Sequence, residues 1–233
     1  MNLKAQKIIV TGASGRLGRE LIPLLEAEGA IIEAPSSDIC NIKESIVDTN
    51  WQKLYSFYHT PTLIIHCAAY TDVTGAETDR ASAIDLNIMG TMNVAKLARY
   101  YKAKLIHISS DYVTYQPMGM YAFTKLAAEA FASPEDMVVR TSFKSRGTWG
   151  KNALTKVFHP VFTNADWVDI IAGKIVEAIK LDLTGIVNIG TERKLLKTLA
   201  QQEYPYVDTI PVQKADALVG YKYPRDCSME LTI

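Results

Sequence analysis

Three observations predict an α/β protein built on a doubly wound parallel sheet. Short β-rich runs alternate with longer helical patterns, several of those runs are apolar without interruption, and a glycine-rich turn joins the first run to the first helix. A chain of 233 residues is one large domain, or a domain with a small lobe. The first strand is expected at 7–11, and behind it Leu17, Leu21, Leu24 and Leu25 recur at helical spacing, with Pro23 bending that helix or removing one of its hydrogen bonds. A second strand is expected at 30–34. The aromatic cluster Trp51, Tyr55, Phe57 and Tyr58 then reads as a helix face packed on the sheet. The third strand falls at 63–68, followed by a long helix marked by Ile84, Ile88, Ala95 and Ala98. Strands at 104–109 and 137–141 flank a helix over 121–131 that Ser133 and Pro134 end. Ile171, Ile175, Ala178 and Ile179 stripe a further helix, with Asn164 or Asp166 as its expected cap, and the last strand follows at 185–189. Residues 143–163 and 204–233 lack a clear period and are rich in aromatic, proline and basic residues, which suggests a small lobe over the sheet.

Composition excludes several classes of function. Lys and Arg number 25 against 25 Asp and Glu, so no overall field draws in a polyanion and a generic nucleic-acid binder is not expected. The longest apolar run, 62–70, is interrupted by His66 and falls short of the roughly 20 residues of a membrane span. With no apolar signal core at the N-terminus, a cytoplasmic location is expected. Cys40, Cys67 and Cys227 are odd in number and far apart, which suggests buried thiols rather than disulfides or zinc ligands. His59 and His159 are isolated, so no metal is expected. His66 and His107, inside strands, read as packed core groups, and Arg193, Lys194 and Lys197 as a solvated helix face.

The turn VTGASGRLG at 10–18 opens the first helix. Gly12 suits a tight turn, Gly15 lets the backbone approach a pyrophosphate, and Gly18 lets helix and strand pack closely, while the helix N-terminus supplies positive potential. Counting about 20 residues onward puts the end of the second strand at Ser36-Ser37, where no carboxylate stands to bond a ribose. With Arg16 and Arg19 nearby to face a 2′-phosphate, NADP(H) is favoured over NAD(H); a register that brought Glu33 to that place would reverse the preference. Further on, Tyr121 and Lys125 lie at i and i+4 on one helix face, where the ammonium is expected to lower the phenol pKa so that Tyr121 exchanges a proton with a substrate oxygen. Ser110, ending the fourth strand, would hold that oxygen.

These features together resemble an extended short-chain dehydrogenase/reductase of the nucleotide-sugar reductase branch, the dTDP-4-dehydrorhamnose reductase family. The resemblance rests on VTGASGRLGREL at 10–21, CAAYTDVTGAE at 67–77, NIMGTMNVAKLA at 87–98, HISSDYV at 107–113, YAFTKLAAE at 121–129, VRTSF at 139–143 and, with less specificity, PRDCSM at 224–229. It implies a Rossmann-type dinucleotide-binding domain over 1–142 and a small substrate-binding lobe over 143–233, of which about 165–190 return a helix and a strand to the sheet. Ser110, Tyr121 and Lys125 match the catalytic triad. Gly12, Ser14, Gly15, Arg16, Leu17 and Gly18 would hold the pyrophosphate, and Ser36, Asp38 and Ile39 would border the adenosine. Ala68, Ala69 and Tyr70, with Tyr121 and Lys125, would line the rest of the cofactor. Asp111, Tyr112, Phe143 and Arg225 would face the sugar nucleotide. Related dehydratases carry Asp-Glu after the triad hydroxyl; Asp111-Tyr112 is the reductase version. The implied activity is NAD(P)H-dependent reduction of a nucleotide-activated 4-keto-6-deoxy sugar in deoxysugar or polysaccharide biosynthesis. Two alternatives stay open: a non-catalytic NADP-binding regulatory or scaffold protein, since 114–120 and 143–166 are shorter than the family pattern, and a nucleotide-sugar epimerase. Folds of this kind commonly pair into homodimers through helices flanking the sheet.

Overall fold

The computed structural model describes residues 1–44, 60–116, 118–221 and 223–233; Trp51, Tyr55, Phe57 and Tyr58 lie outside them. The apolar runs form β1 (Lys7–Thr11), β2 (Ile31–Glu33), β3 (Leu63–His66), β4 (Lys104–Ile108) and β5 (Met137–Arg140). After β5 come four short strands, β6 (Phe143–Lys144), β7 (Lys156–His159), β8 (Phe162–Thr163) and β9 (Asp166–Trp167), then β10 (Gly185–Asn188), β11 (Lys194–Leu195) and β12 (Asp208–Pro211). Six strands make one parallel sheet in the order β10-β5-β4-β3-β1-β2. The chain leaves β1 toward β2 on one side and toward β3 on the other. That reversal opens a crevice at their carboxyl ends, the usual ligand position in such sheets.

Alternation along the strands divides the core between two faces. Ile8, Val10, Leu63, Ile65, Ile106 and Ile108 point to one layer, filled by Leu17, Leu21 and Leu25 of α1 (Arg16–Ala27). Ile9, Ile64 and Leu105 point to the other. The helix α1 runs on through Pro23, which is exposed, so the missing N–H falls on the solvent side.

On the second face lie α2 (Gly75–Thr78), α3 (Arg80–Ile84) and α4 (Gly90–Tyr101), the last two joined by a π-helical turn, Asp85–Met89. The single helix expected from Ile84, Ile88, Ala95 and Ala98 is therefore divided. Ile84 is exposed and Ile88 half-buried, whereas Ala95 and Ala98 are buried as expected, together with Asn87, Thr91, Val94 and Leu97. A π turn inserts an extra residue, so a stripe drawn at constant helical spacing slips off the buried side.

The helix α5 (Met120–Glu129) lies between β4 and β5, and α6 (Val168–Lys180) packs beside α1 before β10 returns to pair with β5. Neither Asn164 nor Asp166 caps α6: its N-cap is Trp167, with no side-chain hydrogen bond. Asn164 Nδ2 donates to the Thr191 carbonyl (2.7 Å), while Asp166 Oδ2 accepts from Thr191 Oγ1 (2.7 Å) and Lys194 Nζ (2.9 Å). Lys194 is thus a nearly buried ion-pair partner in β11 rather than part of a solvated helix face. Arg193 lies over the Phe162 ring and pairs with Asp226, and only Lys197 sits on a helix, α7 (Leu196–Glu203).

The segments without a clear period, joined by β9 and β11, make three two-stranded ribbons, β6 with β9, β7 with β12 and β8 with β11. Trp149, Val157, Trp167, Leu199 and Val207 give them a core of their own. One short helix, α8 (Gln213–Val219), follows β12. Among the described residues, no helix is long and apolar enough to cross a membrane.

Candidate active site

The glycine turn lies at the crevice. Gly12 has φ +70°, and a Cβ there would stand 2.5 Å from the Ala68 backbone nitrogen, so only glycine lets β1 turn this close to the segment after β3. A Cβ on Gly18 would meet the Gly12 carbonyl oxygen at 2.6 Å and Ala13 Cα at 2.7 Å. The N-cap of α1 is Gly15, no side chain bonds the first-turn N–H groups, and no acidic residue stands there. A bare helix N-terminus over a glycine cradle fits the pyrophosphate of a dinucleotide. Ser14, Gly15 and Arg16 are exposed along the turn, and Leu17 and Gly18 are buried behind it.

Ala68, Ala69 and Tyr70 line the crevice edge half-buried. On the adenosine side, β2 ends at Glu33, short of the Ser36 to which counting assigns the strand end. Ser36 begins a turn, its carbonyl accepting from Ile39 and Cys40, with Asp38 and Ile39 exposed beside it. Glu33 therefore stands at the end of β2, the place counting gives to Ser36. Its Oε2 is buried without a hydrogen-bond partner, and burial raises its pKa despite Lys7 nearby.

Ser110 follows β4, while Tyr121 and Lys125 lie on α5 one helical turn apart. Ser110 Oγ accepts from the Tyr112 N–H (3.2 Å) and hydrogen-bonds the Tyr121 phenol. Lys125, nearly fully buried, donates from Nζ to the Ile108 carbonyl (2.7 Å). The expected lowering of the Tyr121 pKa does not occur in the protein alone. Burial pushes the phenol up to about 12, with the Ser110 hydrogen bond only partly offsetting it. Burial also brings the Lys125 ammonium down to about 8. Spacing on a helix gives proximity but not desolvation, and here desolvation is the larger effect.

Sequence reasoning missed Asn87. Buried in the π turn, it accepts from the Tyr70 N–H (2.7 Å) and donates to the Tyr70 carbonyl (3.2 Å) and to Thr124 Oγ1 (2.9 Å), tying the segment after β3 to the residue before Lys125. Asparagine inside a helix is a poor helix former, and that was the available signal. His66 is a packed core group, held by Thr11 (2.7 Å) and Thr91 (3.0 Å) and stacked on His107 at 5.5 Å. Cys40 and Cys227 are buried and Cys67 is half-buried; burial raises all three thiols, Cys67 to about 12.

On the substrate side, Tyr112 meets Tyr121 edge-on at 6.2 Å and shares a 2.8 Å hydroxyl contact with Tyr223. Arg225 grips Asp216 through both terminal nitrogens, each at 2.6 Å, so most of its donors are already engaged. Phe143 packs against the first core layer, and it is its neighbour Lys144 that lines a small cavity with Asp111, Tyr112, Ser142 and Thr163. Asp111 is buried, its Oδ1 3.3 Å from Ser110 Oγ, and burial pushes its carboxyl up to about 7 against the lowering effect of Lys144. A carboxyl raised from 3.8 binds its proton more tightly in the folded chain than in the unfolded one, so stability falls as pH rises across that window to about 7. Asp111→Asn removes this loss. Its melting temperature relative to the unsubstituted protein is expected to rise by roughly 5–10 °C between about pH 5 and about pH 8. A gap independent of pH in differential scanning fluorimetry would contradict the raised carboxyl.

A family model described as the RmlD substrate binding domain matches residues 6–175. The chain is 35% identical over 169 residues to dTDP-4-dehydrorhamnose reductase of Mycolicibacterium smegmatis, covering 65% of this chain and 50% of that protein. Against the Aggregatibacter actinomycetemcomitans dTDP-4-dehydrorhamnose reductase the figures are 29% over 185 residues, 72% and 61%. The matched region thus spans about half the length of the first of these curated relatives. Among solved structures, dTDP-4-dehydrorhamnose reductase of Bacillus anthracis in complex with NADP superposes with a TM-score of 0.82 at 25% identity, over 98% of this chain and 91% of that one. UDP-glucose 4-epimerase of Thermus thermophilus in complex with NAD, at TM-score 0.68 and 16% identity over 95% and 85%, shares the fold.

Proposed function

Because the chain belongs to the RmlD substrate binding domain family, that of the dTDP-4-dehydrorhamnose reductases among the extended short-chain dehydrogenases/reductases, we propose that it reduces the C4 ketone of a nucleotide-activated 4-keto-6-deoxy sugar with NAD(P)H. The observation that carries this reading is the approach of Ser110 to the Tyr121 phenol, with buried Lys125 one turn along the same helix, in a sheet whose first turn is a glycine cradle. When bound, the dinucleotide supplies the hydride. Tyr121, its phenol held protonated up to about 12, is then a proton donor throughout the neutral range, as reduction of a ketone to an alcohol requires. Ser110 Oγ holds the substrate oxygen, and Lys125, fixed by the Ile108 carbonyl, stabilises the phenolate that Tyr121 becomes. Asn87 is a positioning residue behind both.

Residues 143–233, apart from the returning helix and strand, are the substrate lobe in this reading, and a nucleotide sugar is the partner. Arg16 and Arg19 are exposed, with no ion pair among the described residues, and favour a 2′-phosphate; Glu33, ending β2 with an unpartnered oxygen, favours a free ribose hydroxyl. We expect both NADPH and NADH to serve. The test is turnover: NADPH mixed with a panel of 4-keto-6-deoxy sugar nucleotides, followed by loss of its absorbance. Steady consumption with at least one of them is expected. The cavity beside Asp111, with room for little more than a water molecule, favours a second reading, a non-catalytic dinucleotide-binding partner protein. Tight NADPH binding without consumption of any substrate would select it.

A further inference from the structure

We infer that His66 is a positioning residue for the reaction: it is a link in a buried, one-directional hydrogen-bond chain that joins the strand end before the glycine turn to the backbone of Tyr121. The inference rests on the proposed role of Tyr121 as proton donor. His66 ends β3, and the sheet register sets it directly beside Thr11, the last residue of β1. Its other ring nitrogen reaches Thr91 in the first turn of α4. At His66 the chain therefore passes from the sheet to the helical layer.

The hydrogens allow one direction only. Thr124 Oγ1 donates to the Tyr121 carbonyl (2.8 Å), so it accepts from Asn87 Nδ2 (2.9 Å). Thr91 Oγ1 donates to the Asn87 carbonyl (2.6 Å), so toward His66 Nε2, at 3.0 Å, it can only accept. Nε2 must then carry the ring proton. Burial, with Lys125 adding to it, keeps the ring neutral, its pKa down to about 3, so Nδ1 is bare and accepts from Thr11 Oγ1 (2.7 Å). Thr11, His66, Asn87, Thr91 and Thr124 are all buried, so a broken link leaves a polar group unsatisfied rather than handing it to water. The ends of the chain are the two parts that the reaction must bring together. Gly12 follows Thr11, and the last acceptor is the carbonyl of Tyr121 itself.

The experiment has two arms. In the first, long-range nitrogen–proton NMR of the unsubstituted protein with isotopically labelled histidine reads the His66 tautomer, its signal identified by its loss in His66→Gln. A proton on Nε2 throughout the neutral range is expected. A proton on Nδ1, a mixture of tautomers or a charged ring overturns the inference. In the second arm, His66→Gln, His66→Asn and His66→Phe are compared in Kd for NADPH and in kcat and KM for a 4-keto-6-deoxy sugar nucleotide that the unsubstituted protein reduces. Glutamine keeps a donor at the place of Nε2 and asparagine an acceptor at the place of Nδ1, so only glutamine holds the link toward Tyr121. With asparagine or phenylalanine, kcat is expected to fall roughly 10–100-fold as the proton donor loses its alignment, while Kd and KM stay within about twofold. Glutamine should restore most of kcat. Equal losses with glutamine and asparagine, an unchanged kcat in a folded asparagine or phenylalanine variant, or a loss carried by Kd or KM alone overturns the inference. Should phenylalanine unfold the chain, the other two variants and the tautomer decide. An unsubstituted protein that reduces no sugar nucleotide removes the reductase reading instead, and the tautomer then still decides whether the chain exists.

Discussion

Tyr121→Phe is expected to lower turnover by about 10²–10⁴-fold, the usual contribution of a positioned general acid, while binding NADPH as tightly as the unsubstituted protein. Phenylalanine keeps the ring that meets Tyr112 edge-on and removes only the hydroxyl that bonds Ser110. Nothing in the glycine cradle touches that hydroxyl, so dinucleotide affinity and melting temperature should change little. Ser110 and Asp111 keep their own contact, so a compensating shift of the site is not expected. Single-turnover rates with saturating NADPH, paired with a fluorescence titration of NADPH, separate the two effects. Turnover retained within a few-fold would remove Tyr121 as the proton donor.

Gly12→Ala should be as damaging, but through binding. At φ +70° an alanine pays for the left-handed conformation, ~1–2 kcal/mol. Its Cβ would also lie 2.5 Å from Ala68 N, 2.7 Å from Ala68 Cα and 2.8 Å from the Cys67 carbonyl carbon. All three are backbone atoms and cannot rotate aside, so the turn must move away from β3. That movement withdraws the first-turn N–H groups of α1 from the pyrophosphate. Loss of two charge-assisted hydrogen bonds, ~1.5–3 kcal/mol each, weakens NADPH roughly hundredfold or more. Calorimetric titration checks the affinity and circular dichroism the fold; unchanged affinity in a folded variant would contradict the cradle.

The sheet was legible because its strands are buried on both faces: Lys7–Thr11, Leu63–His66 and Met137–Arg140 are apolar runs too short for helices. The short strands after β5 were not, since pairs of residues such as Phe143–Lys144 and Asp166–Trp167 leave no period to detect. Asp166 looked like a cap because its neighbours in sequence allow it, but Thr191 and Lys194 claim it from another part of the chain. In the site, the approach of Ser110 to Tyr121 could be read from their order, whereas the ionisation of Tyr121 could not, because its desolvation is a property of packing. The place of Lys144 in the cavity was missed for a similar reason. A lysine after a strand reads as solvated, and only the alternation of β6 beside Asp111 turns it inward.

The proposed reaction places the hydride of the dinucleotide on the C4 carbon of a sugar ketone. Its most direct test uses NADPH carrying deuterium at nicotinamide C4, on either face in turn, with a 4-keto-6-deoxy sugar nucleotide, and locates the label in the product by mass and NMR. One deuterium on the sugar C4, from one face only and in step with NADPH consumed, is the predicted result. NADPH bound and left unconsumed, or a product without deuterium at that carbon, would contradict it.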